Sequence, residues 1–245
     1  MFSNVTFLAE KPQLRRPILI EGLPGIGYVA NIVALHLINE LKARKFCEIH
    51  SPHFHAFSLT SQEGTIRYPI NELYYAATES TDRDIIILFG NSQAGDTRGQ
   101  YALCKQILDI AQGLGCESVL TIGGLRRDTT PPEPKVFCAA SDPEMLKIAT
   151  DLGADRMNGH IYGVAGLLIG LARLRKMKGL CALSETSGVY ADVAAARSAL
   201  RFMCRFLRIN VDFSRLDQAV EANKRYVSSF SQPRTQMKRG FPTTI

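Results

Sequence analysis

The stretch EGLPGIGYVANIVALHLINEL, Glu21 to Leu41, decides how the chain is read. It runs from the end of a strand through three glycines into a long apolar helix, the signature of an α/β unit. In many such units the glycine turn cradles a phosphate, because backbone N–H groups and the helix dipole point at one spot. Here Gly22, Gly25 and Gly27 are spaced G-x-x-G-x-G, whereas the dinucleotide fingerprint runs G-x-G-x-x-G and the nucleotide loop requires a Gly-Lys-Ser/Thr. Neither motif is met. Two readings remain: an anion site at the start of the Tyr28 helix, and a tight turn that lets the helix pack closely on the sheet. The second is the expected one.

Outward from this stretch, strands and helices alternate. RPILIEG (16–22), DIIILFG (84–90), ESVLTIGGL (117–125) and GLCALSE (179–185) are apolar runs that read as buried strands. KVFCAAS (135–141) is a further short strand. Tyr28 to Leu41 is a helix apolar on most of its circumference, and a second helix carries Tyr101, Leu103, Cys104, Ile107, Leu108 and Ala111 at helical spacing until Gly113 and Gly115 end it. Asp142 with Pro143 behind it reads as an N-cap and first-turn proline. The segment from Gly159 and the stripe of Val193, Ala194, Leu200, Met203, Phe206 and Leu207 give two more helices. Between the first helix and DIIILFG the segments are shorter, polar and alternating, which suits antiparallel or edge strands. The predicted fold is α/β, a three-layer α/β/α sandwich with a mostly parallel central sheet, phosphorylase- or hydrolase-like. One domain is expected over 1–231, its last helix at about 213–231, followed by a flexible basic tail at 232–245.

Composition narrows the function classes. The chain has 245 residues, 46% of them hydrophobic, which suffices for one large core. The longest apolar run, Ile161 to Leu174, is shorter than the roughly 20 residues a bilayer requires. The N-terminus has acid and proline where a signal peptide has a basic start and an apolar core, so a cytoplasmic protein is expected. Six cysteines without a C-x-x-C pair read as reduced core thiols. The net charge of +6 is local: of 29 basic residues, Lys224, Arg225, Arg234, Lys238 and Arg239 follow Glu221 with no acid among them. The body is therefore near neutral, which argues against nucleic acid as a partner. The tail is polar, either without fixed structure or a docking peptide for an acidic partner.

Residues that would carry chemistry are sparse. His50, His53 and His55 cluster, and alternation places His53 and His55 on one strand face, but Glu48 or Glu63 would be the only nearby further ligand for a metal. Solvated edge-strand histidines are expected, with no metal and no cofactor. The loops after strands, FGNSQAGD (89–96) and LSETSG (183–188), lie where ligands of open α/β sheets bind. Ser92, Gln93, Asp96, Glu185 and Thr186 would converge there, with Gly22, Gly25, Gly27, Gly123 and Gly124 completing a crevice, unless they serve as caps and turns.

Four ordered segments carry a resemblance: ILIEGLPGIGYVANIVALHLI, GNSQAGDTRGQYALCKQIL, VLTIGGL and GVAGLLIGLARLRKMKGLCALSETSGVYADVAAARSALRFM. They occur in the same order and at similar spacing in the family named for the second eukaryotic proteasome assembly chaperone, especially in its archaeal members. The chain resembles that family from roughly Ile18 to Glu221. The resemblance implies an α/β/α sandwich, self-association into homo-oligomers, binding of proteasome α subunits or the core particle, and no enzymatic activity. In docking relatives a C-terminal hydrophobic–Tyr–any-residue ending inserts between α subunits. The corresponding residues here are Thr243, Thr244 and Ile245, without the tyrosine, so Lys238, Arg239, Phe241 and Ile245 would attach in a looser, salt-sensitive way. The competing reading is a small-molecule or nucleotide-binding enzyme that uses the glycine crevice.

Overall fold

The structure, a computed structural model, describes residues 4–61, 63–78 and 81–221. Its main sheet has the order β1 (Asn4–Phe7), β3 (Arg44–His50), β6 (Asn71–Ala76), β7 (Ile85–Gly90), β2 (Ile18–Gly22), β8 (Ser118–Arg126), β11 (Lys178–Thr186), β9 (Val136–Ala140), β10 (Asp155–Arg156). The four central strands β7, β2, β8 and β11 run parallel, and they are the apolar runs of the sequence, buried on both faces. On one flank β6, β3 and β1 continue antiparallel; on the other, β9 returns antiparallel to β11. A separate hairpin pairs β4 (Leu59–Thr60) with β5 (Ile66–Arg67).

Helices cover both faces. α1 (Val29–Glu40), α3 (Pro143–Asp151) and α5 (Val193–Leu207) close one core with Ile18, Ile20, Ile87, Leu120 and Leu180. On the other face, α2 (Thr97–Gly113) and α4 (Gly163–Leu174) pack over Leu19, Ile86, Leu88, Val119 and Cys181. The period-2 alternation within each strand sends Ile18 and Ile20 to one core and Leu19 to the other. Both strongly apolar helices spend most of that surface internally. α1 buries Val29, Ala30, Val33, Ala34 and Leu37, and its His36 meets the Asp212 carbonyl at 2.7 Å beside the Phe213 ring. No helix among the described residues is long and apolar enough to cross a membrane. All six cysteines are free and buried.

Several local expectations change. β1 and β10 were absent from the sequence reading because short, exposed edge segments carry no periodic signal; β1 exists through its pairing with β3. His53 and His55 do not share a strand face. They lie in the loop after β3, where Phe54 bridges Ala94. α4 begins at Gly163 rather than Gly159, since Gly159 takes a φ of 122°, which no right-handed helix accommodates. Residues 214–221 are helical; the rest of the expected last helix and the tail lie outside the described residues.

The β6–β7 connection is tied down by one buried carboxylate. Asp84 accepts the Arg15 N–H at 2.7 Å, the Arg15 guanidinium at 3.1 Å and the Thr78 N–H at 3.2 Å. Burial by itself would raise its pKa, but these donors outweigh burial and hold the carboxyl below the usual range. Asp84→Ala orphans two backbone N–H groups and is expected to cost about 2 kcal/mol at pH 7. A depressed folded pKa gives stability that is present above the unfolded pKa and lost on acidification, so the deficit should shrink toward pH 3 in urea titrations.

Candidate functional site

The glycine turn stands at the topological switch point of the sheet. The chain leaves β2 for α1 on one face and leaves β7 for α2 on the other, so the carboxyl ends of these neighbouring strands part. An open cleft of about 550 Å³ lies there, bordered by Pro24, Tyr28, Asn31, Phe57, Leu59 and Gln93.

Most of its polar groups already have partners within the chain. Asn31 Nδ2 donates to the Gly22 carbonyl (3.2 Å) and the Gly90 carbonyl (2.8 Å), and so fastens α1 to both strand ends. Gln93 Nε2 donates to the Pro24 carbonyl at 2.6 Å, while its Oε1 accepts from Val164 N–H and Gln100 Nε2. The Ser92 hydroxyl donates to the Gln93 carbonyl. Outward around the cleft stand Tyr28, 52% exposed, and Leu59, 44%, with the exposed His55 beside them.

The glycines serve contact. A Cβ built on Gly22 would lie 2.1 Å from Ala34 Cβ, so the turn brings α1 directly onto β2. Gly27 takes a left-handed φ of 65° and faces Thr186 Oγ1, and a Cβ on Gly124 would meet the Ile26 carbonyl at 2.3 Å. Gly123 faces Leu183, and Gly25 has open space around it. Thr186 belongs to a closed network. Its hydroxyl donates to Asp192 Oδ2 at 2.7 Å, the Thr130 hydroxyl donates to the same oxygen, the Asp192 N–H donates to the Gly27 carbonyl, and Asp192 Oδ1 caps α5 at the Ala195 N–H.

The five polar residues expected to converge therefore divide. Ser92 and Gln93 border the cleft and Thr186 lies behind the glycine turn. Asp96 caps α2 through the Gly99 N–H and pairs with His53 Nδ1 at 2.8 Å; Glu185 binds Arg127 and the Lys135 N–H at the β9 side. The separation follows from the pleat: neighbours Glu185 and Thr186 on β11 point to opposite faces. Among the described residues no group of three His, Cys, Asp or Glu side chains is placed to hold a metal ion. Lys238, Arg239, Phe241 and Ile245 lie outside the described residues.

The sequence reading missed Glu21. This carboxyl is 1% exposed inside the sheet; Oε1 accepts the Leu23 N–H at 2.9 Å, and Oε2 has no partner among the described residues. Burial pushes its pKa to about 8 against the lowering effect of backbone donors at Leu23 and Ile122. One acid in an otherwise continuous apolar strand was the available signal. Cys104 and Cys181 are pushed up to about 12, by burial above all; Glu21 adds to the push at both, and at Cys181 a hydrogen bond with Thr121 opposes it. These thiols stay protonated near neutrality, unlike an activated nucleophile.

Comparison with known proteins bears on this arrangement. The sequence profile described as the PAC2 family matches residues 19–230. An uncharacterized protein of Methanocaldococcus jannaschii is 32% identical over 226 residues, covering 91% of this chain and 86% of that protein. The crystal structure of Pyrococcus furiosus PbaB, described as an archaeal proteasome activator, superposes with a TM-score of 0.87 at 31% identity, covering 94% of this chain and 99% of that one. Pyrococcus furiosus PbaA, described as an archaeal homolog of proteasome-assembly chaperone, shares the fold with a TM-score of 0.73 at 23% identity, over 93% of this chain and 96% of that one.

Proposed function

We propose, from the premise that this chain belongs to the PAC2 family, that it acts without bond-making chemistry, as a cytoplasmic, self-associating protein that binds the proteasome as an assembly chaperone or activator-like adaptor. The observation that carries this reading is the end-to-end likeness to PbaB at 31% identity. The geometry supports it. At the carboxyl end of the sheet Asn31, Gln93 and Thr186 are engaged in holding the turn, while Tyr28, Leu59, Tyr162 and Tyr190 stand exposed around it. Exposed apolar side chains suit reversible protein contact. In this reading Gly22, Gly25, Gly27, Gln93, Gly123, Gly124 and Thr186 form the scaffold of that surface, and Lys238, Arg239, Phe241 and Ile245 add a salt-sensitive attachment.

The test is affinity capture with the tagged full chain, using core particles and isolated α subunits from the same organism. Recovery of α subunits is expected, reduced when residues 232–245 are deleted and reduced further at high salt. Recovery of none by either protein at low salt overturns the proposal.

A further inference from the structure

The exposed side of α5 carries Arg197, Arg201 and Arg205 at four-residue spacing, each about 6 Å further along the helix axis. They border a groove of about 460 Å³ whose opposite wall is the loop before β9, with Pro132, Glu133 and Lys135. Its floor is apolar: Phe202 is buried, and Val136, Ala194 and Val220 are half-buried. Arg201 and Arg205 also border a second groove of about 460 Å³, which runs on toward Arg208 and Phe213.

The charges in this groove are unequally matched. Arg197 pairs with Asp217, and Lys135 with Asp155 at 3.7 Å. Arg201, Arg205 and Arg208 are exposed, and none of them forms an ion pair among the described residues. The sequence after Glu221 holds Lys224, Arg225, Arg234, Lys238 and Arg239 and neither Asp nor Glu.

We infer that the α5 groove is a docking surface for an extended acidic segment of a partner protein, with Arg201 and Arg205 as its carboxylate-binding pair. Alternate residues of an extended chain repeat at roughly 6.6 Å, close to the rise between successive arginines of the stripe. Acidic side chains at every second position would meet the guanidiniums in turn, and the intervening apolar ones would face the floor at Phe202 and Val136. Guanidinium forks bind carboxylates bidentately, which favours arginine over lysine here. The apolar floor at Phe202 and Val136 suits the intervening side chains of a peptide better than a phosphate backbone. This surface lies on the α5 face, apart from the exposed aromatic rim at the glycine turn, and the inference does not require the partner to be the proteasome.

The experiment is fluorescence anisotropy with the full-length protein and a labelled decapeptide of alternating Glu and Val. Oligothymidylate of matched charge is the competitor. Wild type and the double variant R201Q/R205Q are compared, so the basic segment after Glu221 contributes equally to both. The expected result is a loss of at least tenfold in peptide affinity in the variant, at an unchanged melting temperature, with salt weakening the wild-type complex. Equal affinity of the two proteins overturns the inference. So does tighter binding of the oligonucleotide, or a change of subunit number in the variant by sedimentation, which would make the groove a contact between copies of this chain.

Discussion

Glu21→Gln is expected to stabilise the protein at neutral pH and to leave it almost unchanged at pH 4. The carboxyl has a folded pKa of about 8 against 4.5 when free. A raised folded pKa means that the native state binds the proton more tightly, so the contribution is fully present below the free value and is lost as pH climbs through the folded one. Between these limits stability falls by about 1.4 kcal/mol per pH unit, or about 3 kcal/mol by pH 7. Glutamine keeps an oxygen for the Leu23 N–H and removes the titration. Urea titrations of both proteins from pH 4 to pH 9 give the difference curve, in which the ionisable groups not coupled to Glu21 cancel. Parallel curves would mean that Glu21 is hydrated or paired in solution and that the interior of β2 is wetter than the packing shows.

The second large effect is expected at Gly22. Its substitution by alanine places a Cβ 2.1 Å from Ala34 Cβ and 3.0 Å from the Ala30 carbonyl, so α1 has to rise from the sheet. α1 is held from behind by α5 and across by Asn31, which leaves it little room to yield. Overpacking of this kind costs about 3 kcal/mol. Gly25→Ala, three residues on and in open space, should cost less than about 0.5 kcal/mol. A phosphate-cradling loop would give no reason for this asymmetry; a packing turn requires it. The double variant Gly22→Ala with Ala34→Gly should regain part of the loss, despite the roughly 1 kcal/mol that glycine costs inside a helix. Equal stability of the Gly22 and Gly25 variants would remove the turn's packing role.

Much of the architecture was legible because its signals are local. Four continuous apolar runs announced the parallel centre, Asp142–Pro143 announced α3, and helical spacing from Tyr101 to Ala111 announced α2. The site was less legible. Asp96 and Thr186 stand out in the sequence by their place after strands, yet their roles depend on Gly99, His53 and Asp192, and on which way the pleat turns each side chain. Glu21 went unread because its pKa depends on the burial that β7, β8, α2 and α4 impose together.

By itself, the sequence determined the alternation of strands and helices, the family resemblance, the reduced state expected of the thiols and the concentration of basic charge after Glu221, since each is written in residue type and spacing along the chain. The tertiary structure decided that β1 and β10 exist, that the glycine turn is filled by Ala34 and Thr186, that the Glu21 carboxyl is buried inside the sheet and that Arg201 and Arg205 border a groove. Pairing partners, desolvation and cavities arise between segments distant in sequence, and no local pattern of side chains records which distant segment will arrive.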